Sequence, residues 1–121
     1  PVRKNNGVIE IHSLIGTDSD VIKWQLKIPD VFRIHQNYPN PFNPRTKVPY
    51  DLPKESSVTI TIYDVMGRKV KVLFSGIKRP GYHSVVWDGT NTMNELVSAG
   101  MYIYKIEAGN FLKINKMVLI K

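Results

Sequence analysis

The stretch that decides the fold runs from residue 58 to residue 74 and reads VTITIYDVMGRKVKVLF. Apolar residues alternate with polar ones on both sides of the segment Asp64 to Arg68. Alternation with period two is typical of a β-strand buried on one face. Gly67 can supply the left-handed backbone of a short hairpin loop. We therefore predict a hairpin with one inward set on each strand: Val58, Ile60 and Ile62, then Val70, Val72 and Phe74.

The same alternation recurs on both sides of this hairpin, with turn residues between the segments and almost no helical periodicity. Gly109-Asn110 is a candidate two-residue turn before a closing strand, Phe111 to Lys121. Regular short strands of this kind indicate an all-β fold, an antiparallel β-sandwich of about seven strands over residues 32–121. Three further inward sets are predicted: Val48, Tyr50 and Leu52; His83, Val85 and Trp87; Tyr102, Tyr104 and Ile106.

Residues 36–44 read QNYPNPFNP and place three prolines within six residues. Each proline fixes its own φ and pushes the preceding residue towards extended geometry. This predicts a stiff, ordered loop, with Tyr38 and Phe42 as anchors into the core. Pro49 lacks a backbone N–H, so its strand is expected at a sheet edge or at a bulge.

Composition excludes several classes of protein. The chain has 121 residues, 42% of them hydrophobic, which fits one domain with a short extra segment. The absence of cysteine excludes disulfides, thiolate zinc sites and cysteine nucleophiles. The net charge of +7 comes from scattered basic residues, so we expect no nucleic-acid partner. The apolar runs are too short for a membrane span, and we expect no membrane insertion.

Residues 31–121 are interpreted as the main domain, and residues 1–30 as the tail of a preceding domain, a linker or an added edge of the main domain. Val8 to His12 and Val21 to Ile28 read as short strands on either side of a turn at residues 16–20. The first residue is Pro1, without an initiator methionine, so we expect the chain to be a piece of a longer protein.

No catalytic or metal site can be assembled from the sequence. His12, His35 and His83 fit no metal-binding spacing. Asp18 and Asp20 supply too few oxygen ligands for a calcium loop. The serines lack a nucleophile motif with a neighbouring base. We therefore expect a domain without catalysis, metal or cofactor.

Several motifs, taken in order, resemble the type A C-terminal sorting domain of type IX (Por) secretion systems, which is related to the immunoglobulin-like domain of flagellar hook-capping proteins. The resemblance covers about three-quarters of the chain. Arg45 and Pro49 depart from the family pattern, and residues 1–30 match none of it. The motifs are QNYPNPFNP at 36–44, VPYDLP at 48–53, IYDVMGR at 62–68, HSVVWDG at 83–89, SAGMYIY at 98–104 and KMVLIK at 116–121.

The resemblance implies an immunoglobulin-like sandwich that directs an attached cargo protein, through the periplasm, to an outer-membrane translocon. A sorting peptidase then usually removes the domain, and the cargo is secreted or held at the cell surface. The implied signature loop is Asn37, Tyr38, Pro39, Asn40, Pro41, Phe42, Asn43 and Pro44. The implied residues of translocon recognition are Gly109, Lys116, Met117, Val118, Leu119, Ile120 and Lys121.

Three alternatives stay open at this point. The apolar side chains of residues 117–120 can close the sandwich rather than contact a receptor. The domain can be a carbohydrate-binding or adhesive module, because sugar sites stack on exposed rings. It can also be a structural spacer. The aromatic residues that motivate the binding module are Trp24, Tyr38, Tyr82, Tyr102 and Tyr104.

Overall fold

The structure, a computed structural model, describes residues 28–121 in full and the backbone pairing of residues 3–5 and 8–10. Two short strands, β1 and β2, pair antiparallel. Seven further strands follow, in a three-stranded sheet of order β3-β4-β7 and a four-stranded sheet of order β6-β5-β8-β9. The bounds are β1 Arg3–Asn5, β2 Val8–Glu10, β3 Arg33–Ile34, β4 Thr46–Leu52, β5 Ser56–Asp64, β6 Lys69–Lys78, β7 Gly81–Trp87, β8 Gly100–Ala108 and β9 Phe111–Leu119.

Residues 33–119 form the predicted antiparallel sandwich of seven strands, with an immunoglobulin-like architecture. The period-two pattern places alternate side chains between the two sheets. The predicted inward positions of β4, β5 and β8 are almost completely buried, with Val48, Ile60 and Tyr104 each 0% exposed. Gly67, at φ +85°, and the two-residue turn Gly109-Asn110 also lie where the pattern predicts them.

Strand β6 departs from the predicted alternation. Its pairing with β5 has two register shifts, which leave Val70 and Leu73 without a partner across the ladder. Both residues pack against the core, as Phe74 does, whereas Val72 is 41% exposed. The prediction that Val72 faces the core is therefore wrong, because each bulge inserts one residue and changes the phase of the strand.

Strand β4 lies between β3 and β7 and pairs with β7 in continuous register, so the edge or bulge predicted from Pro49 is wrong. The Pro49 carbonyl accepts a hydrogen bond from the His35 N–H at 2.9 Å. A hydrogen-bonded antiparallel pair normally exchanges two such bonds, and proline cannot donate the second. The Tyr104 hydroxyl, from the facing sheet, donates to the His35 carbonyl instead, at 2.9 Å. A side chain thus replaces the donor that proline lacks.

The upstream predictions are covered only in part. Val8–Glu10 forms the strand β2 within the predicted Val8–His12. The turn at residues 16–20 lies outside the described residues, and so does the strand predicted from Val21 apart from Ile28, which is not in a strand. The division at residue 30 stays a prediction. Within the described part of the chain, no helix is long and apolar enough to cross a membrane.

The centre of the core is Trp87, which is 0% exposed. Its ring lies 5.6 Å from Phe42 and 5.1 Å from Tyr102, measured between centroids. The indole N–H donates to the Thr90 carbonyl at 2.9 Å, so this buried polar atom is satisfied.

We expect Trp87→Ala to lower the free energy of unfolding by about 3–5 kcal/mol, because it removes a buried aromatic side chain and leaves a cavity. Urea denaturation of the two proteins measures the difference. Tyr82→Ala is the matched control, since Tyr82 lies on the outer face of the same strand and is 65% exposed. That control is expected to change stability by less than about 0.5 kcal/mol. Equal losses in the two variants would contradict the placement of Trp87 at the centre of the core.

Candidate functional site

The segment of residues 36–44, called here the entry segment, is ordered around Asn37, which is only 2% exposed. The Asn37 side-chain amide donates to the Pro39 carbonyl at 3.2 Å and to the Thr46 hydroxyl at 2.9 Å. The Thr46 hydroxyl in turn donates to the same Pro39 carbonyl at 2.8 Å. The buried Asn37 side chain therefore supplies hydrogen-bond donors to a loop whose prolines have no backbone N–H.

Tyr104 of β8 links the entry segment to the four-stranded sheet. Its hydroxyl accepts a hydrogen bond from the Asn37 backbone N–H at 3.1 Å while it donates to the His35 carbonyl. Burial raises the pKa of Tyr104, against a smaller lowering effect of the bond from Asn37. The hydroxyl is therefore neutral at physiological pH and can serve as donor and acceptor at once.

The entry segment forms hydrogen bonds along the outer edge of the last strand, β9. The Phe42 N–H donates to the Val118 carbonyl at 3.0 Å, and the Ile120 N–H donates to the Phe42 carbonyl at 2.9 Å. The Val118 N–H donates to the side-chain oxygen of Asn40 at 3.0 Å. The Gln36 side chain donates to the Lys116 carbonyl at 3.1 Å. The entry segment thus occupies the place of a neighbouring strand beside the second half of β9.

Two of the predicted recognition residues are core residues. Met117 is 0% exposed and Leu119 is 2% exposed, and both lie in the cluster that surrounds Trp87. On the opposite phase Val118 is half-buried and Ile120 is 45% exposed. The side chains of Lys116 and Lys121 are exposed at the two ends of this stretch.

The structure brings the predicted site residues together, with the exception of Gly109. Gly109 lies in the turn at the other end of β9, where its N–H donates to the Ser57 carbonyl at 3.3 Å. Tyr38 is 78% exposed, so the prediction that it anchors the loop in the core is wrong. The loop turns at Tyr38 and Pro39 to pair with β4, and this directs the ring outwards. Phe42, 1% exposed, is an anchor as predicted.

Residues outside the predicted set also build the site. Gln36, Thr46 and Tyr104 supply the hydrogen bonds described above. Gly89, which the sequence marks only as a turn residue, has φ +78°, and a Cβ added there would lie 3.1 Å from the Pro44 carbonyl oxygen. Glycine is thus required both for the backbone conformation and for the close approach of the entry segment.

The described histidines have structural contacts. His35 Nε2 lies 2.9 Å from a carboxylate oxygen of Asp51. His83 Nε2 lies 2.7 Å from the Arg79 carbonyl, and its ring stacks on Tyr50. Among the residues that the structure describes, no three His, Cys, Asp or Glu side chains are grouped so as to hold a metal ion. His12, Asp18 and Asp20 lie outside those residues.

Together, the fold and this site define a small immunoglobulin-like β-sandwich domain. Residues 43–110, more than half of the chain, match the family model of the FlgD Ig-like domain, and the chain belongs to this family. The predicted relation to the immunoglobulin-like domain of hook-capping proteins is thereby confirmed. The match leaves most of the entry segment and all of β9 outside its bounds.

Two solved structures are similar to this chain, and the first of them shares its fold. The chain is similar to dimeric latent PorU from Porphyromonas gingivalis, with 20% identity and a TM-score of 0.61 over 76% of this chain and 9% of that chain. It is also similar to PorZ of the same organism, described as an essential bacterial surface component of the type-IX secretion system, with 17% identity and a TM-score of 0.48 over 88% and 12%. The chain spans about a tenth of each of these proteins. No curated protein matches it.

We expect Tyr104→Phe to lower the free energy of unfolding by about 1–3 kcal/mol, because it leaves the buried Asn37 N–H and His35 carbonyl without their partner. Thermal or urea unfolding measures the loss. Tyr82→Phe removes the same atom from an exposed ring, so it should change stability by less than about 0.5 kcal/mol. If both variants unfold alike, the Tyr104 hydroxyl does not hold the entry segment.

Proposed function

We propose that this domain is a C-terminal sorting signal, which directs an attached cargo protein across the outer membrane through a type IX (Por) secretion system. The observation that carries the proposal is the pairing of the entry segment with β9. These two segments bear the first and last motifs of the resemblance, and both lie largely outside the FlgD Ig-like match. Gln36, Asn40 and Phe42 of the entry segment form hydrogen bonds with residues 116–120, and these bonds join the two segments into one surface.

A receptor that reads this surface has access to only some of the residues that the resemblance implies. Lys116, Ile120 and Lys121 present exposed side chains, and they would make the contacts. Met117 and Leu119 are buried, so a receptor reaches them only if the sandwich opens. Their role in this proposal is to hold the strand in place, which agrees with the core-packing alternative for half of the apolar run 117–120.

The proposal includes partners and location. The domain would follow its cargo into the periplasm, bind the outer-membrane translocon and be removed by a sorting peptidase that cuts upstream of it. The cargo would then be secreted or held at the cell surface. The domain itself would carry no catalysis, metal or cofactor, and any enzymatic activity would belong to the cargo.

The test is export of a periplasmic reporter that carries the 121-residue chain at its C-terminal end, in a host with the secretion system. We expect the reporter outside the cell, and we expect Lys116→Glu to reduce the exported fraction to less than about half, because it reverses a charge on the contact surface. Immunoblots of medium, surface and periplasm measure the fractions.

The matched control is Lys54→Glu, the same charge change at an exposed position of the β4–β5 turn. It should export as the unchanged chain does. If the unchanged chain leaves the reporter in the periplasm, while an established sorting domain exports it, the proposed function is wrong. If both lysine variants export normally, Lys116 is not part of the contact.

One observation keeps the binding module as a second candidate function. Tyr82 and Tyr38 are 65% and 78% exposed and belong to the outer face of the three-stranded sheet, at β7 and beside β4. Tyr102 and Tyr104 are buried, so they drop out of the aromatic set that motivated this candidate, and Trp24 lies outside the described residues. Saturable glycan binding that is lost in Tyr82→Ala would favour it.

A further inference from the structure

Among the hydrogen bonds of residues 28–121, those at the outer edge of β9 lie along its second half and none along its first half. The backbone of Val118 forms its hydrogen bonds with the entry segment, on the side away from β8. Backbone groups alternate in direction along a strand, so those of Leu112 and Ile114 point to the same outer side. Within residues 28–121, no hydrogen bond to another segment reaches the outward groups of these two residues. In the described part of the chain, these two residues form a strand edge without a hydrogen-bonded neighbour.

The side chains at this open edge are apolar. Leu112 is 52% exposed and Ile114 is 55% exposed, and both lie on the outer face of the four-stranded sheet. Their cross-strand neighbours on β8 are Glu107 and Lys105, which form an ion pair with 3.7 Å between the Lys105 Nζ and a Glu107 carboxylate oxygen. An added strand binds through hydrogen bonds to free backbone groups of the edge and through contacts with every second side chain. This edge offers both.

The open stretch has defined ends. At one end the Phe111 ring stacks on Phe32, with 5.0 Å between centroids. At the other end the Gln36 side chain donates a hydrogen bond to the Lys116 carbonyl. Residues 112–115 lie between these limits, which gives about 13 Å of strand at roughly 3.3 Å per residue. The edge therefore fits a short extended segment rather than a long strand.

The charged residues of β9 determine which kind of segment can bind at this edge. Strand β9 contains Lys113 and Lys116 and no acidic residue. Lys113 lies on the core-side phase of the strand and is exposed, and an inward-pointing charge of this kind protects edge strands from pairing with one another. Two copies that placed Leu112 opposite Ile114 would also place Lys113 opposite Lys113, and like charges opposed across strands are destabilising. An acidic residue opposite Lys113 is favourable instead.

We propose that residues Leu112–Asn115 are a strand-addition site for an extended segment of a partner protein in which acidic residues alternate with apolar ones. The partner's apolar side chains pack beside Leu112 and Ile114, and its acidic side chains, on the opposite face, lie beside Lys113. The proposal rests on the proposed function only in assigning the partner to the secretion machinery. The binding chemistry belongs to the edge itself.

The test is an amide NMR titration of the 121-residue chain with a capped peptide of about five alternating glutamate and valine residues, close to the usual strand length. We expect shifts centred on the amides of residues 111–115. A lysine–valine peptide of the same length should bind about tenfold more weakly, because its charges oppose Lys113. Lys113→Glu should reverse this preference between the two peptides.

Ile114→Pro removes the outward donor without breaking a bond to β8, since proline is tolerated where the N–H faces away from the sheet. It should abolish the shifts. Val86→Pro is the matched control at an outward position of the edge strand β7, and it should bind as the unchanged chain does. Equal binding of both peptides, shifts away from β9, or dimerisation of the unchanged chain through β9 would each overturn the proposal. None of these outcomes depends on export, so the proposed function is tested separately.

Discussion

The pairing of Phe42 with the last strand is the interaction on which the rest of the domain depends. It joins residues more than seventy positions apart through two backbone hydrogen bonds, from the Phe42 N–H to Val118 and from Ile120 to the Phe42 carbonyl. The fixed backbone places the Phe42 ring against Trp87, 5.6 Å between centroids. It also holds β9 so that Met117 and Leu119 close the same cluster. Backbone pairing and core packing therefore support one another at this point.

The prolines that stiffen the entry segment and β4 lack backbone N–H groups, and the side chains of Tyr104 and Asn37 supply donors in their place. Tyr104 supplies the donor that Pro49 lacks opposite His35, and Asn37 supplies donors to Pro39 and Thr46. Each replacement comes from a residue that is itself buried, where an unpaired polar atom would be costly. No buried side-chain nitrogen or oxygen in the described residues lacks a partner. Rigidity of the loop and satisfaction of its backbone are thus achieved by the same few contacts.

The sequence predicts the strands and their inward faces well, because a period-two pattern follows directly from which side chains meet the core. Val48, Tyr50 and Leu52 show this, and Trp87 does so on β7. It fails where a contact distant in the chain decides the geometry. The exposure of Val72 follows from bulges in β6. The central place of β4 is possible because Tyr104 of the other sheet supplies the donor that Pro49 lacks. Tyr38 turns outwards because its backbone pairs with Lys47. The sequence indicates the site only as two separate segments, and tertiary structure reveals that they are hydrogen-bonded neighbours.

The half-occupied edge of β9 reconciles two requirements that oppose each other. A completely covered edge would leave no backbone for a partner, whereas a completely open apolar edge invites aggregation. In this domain the entry segment covers the half of β9 whose side chains complete the core, so Met117 and Leu119 stay protected. The remaining half shows its apolar side chains outwards and carries Lys113, which repels a second copy and not an acidic partner. Selectivity at this edge therefore comes from one charge placed on a short stretch of unpaired backbone.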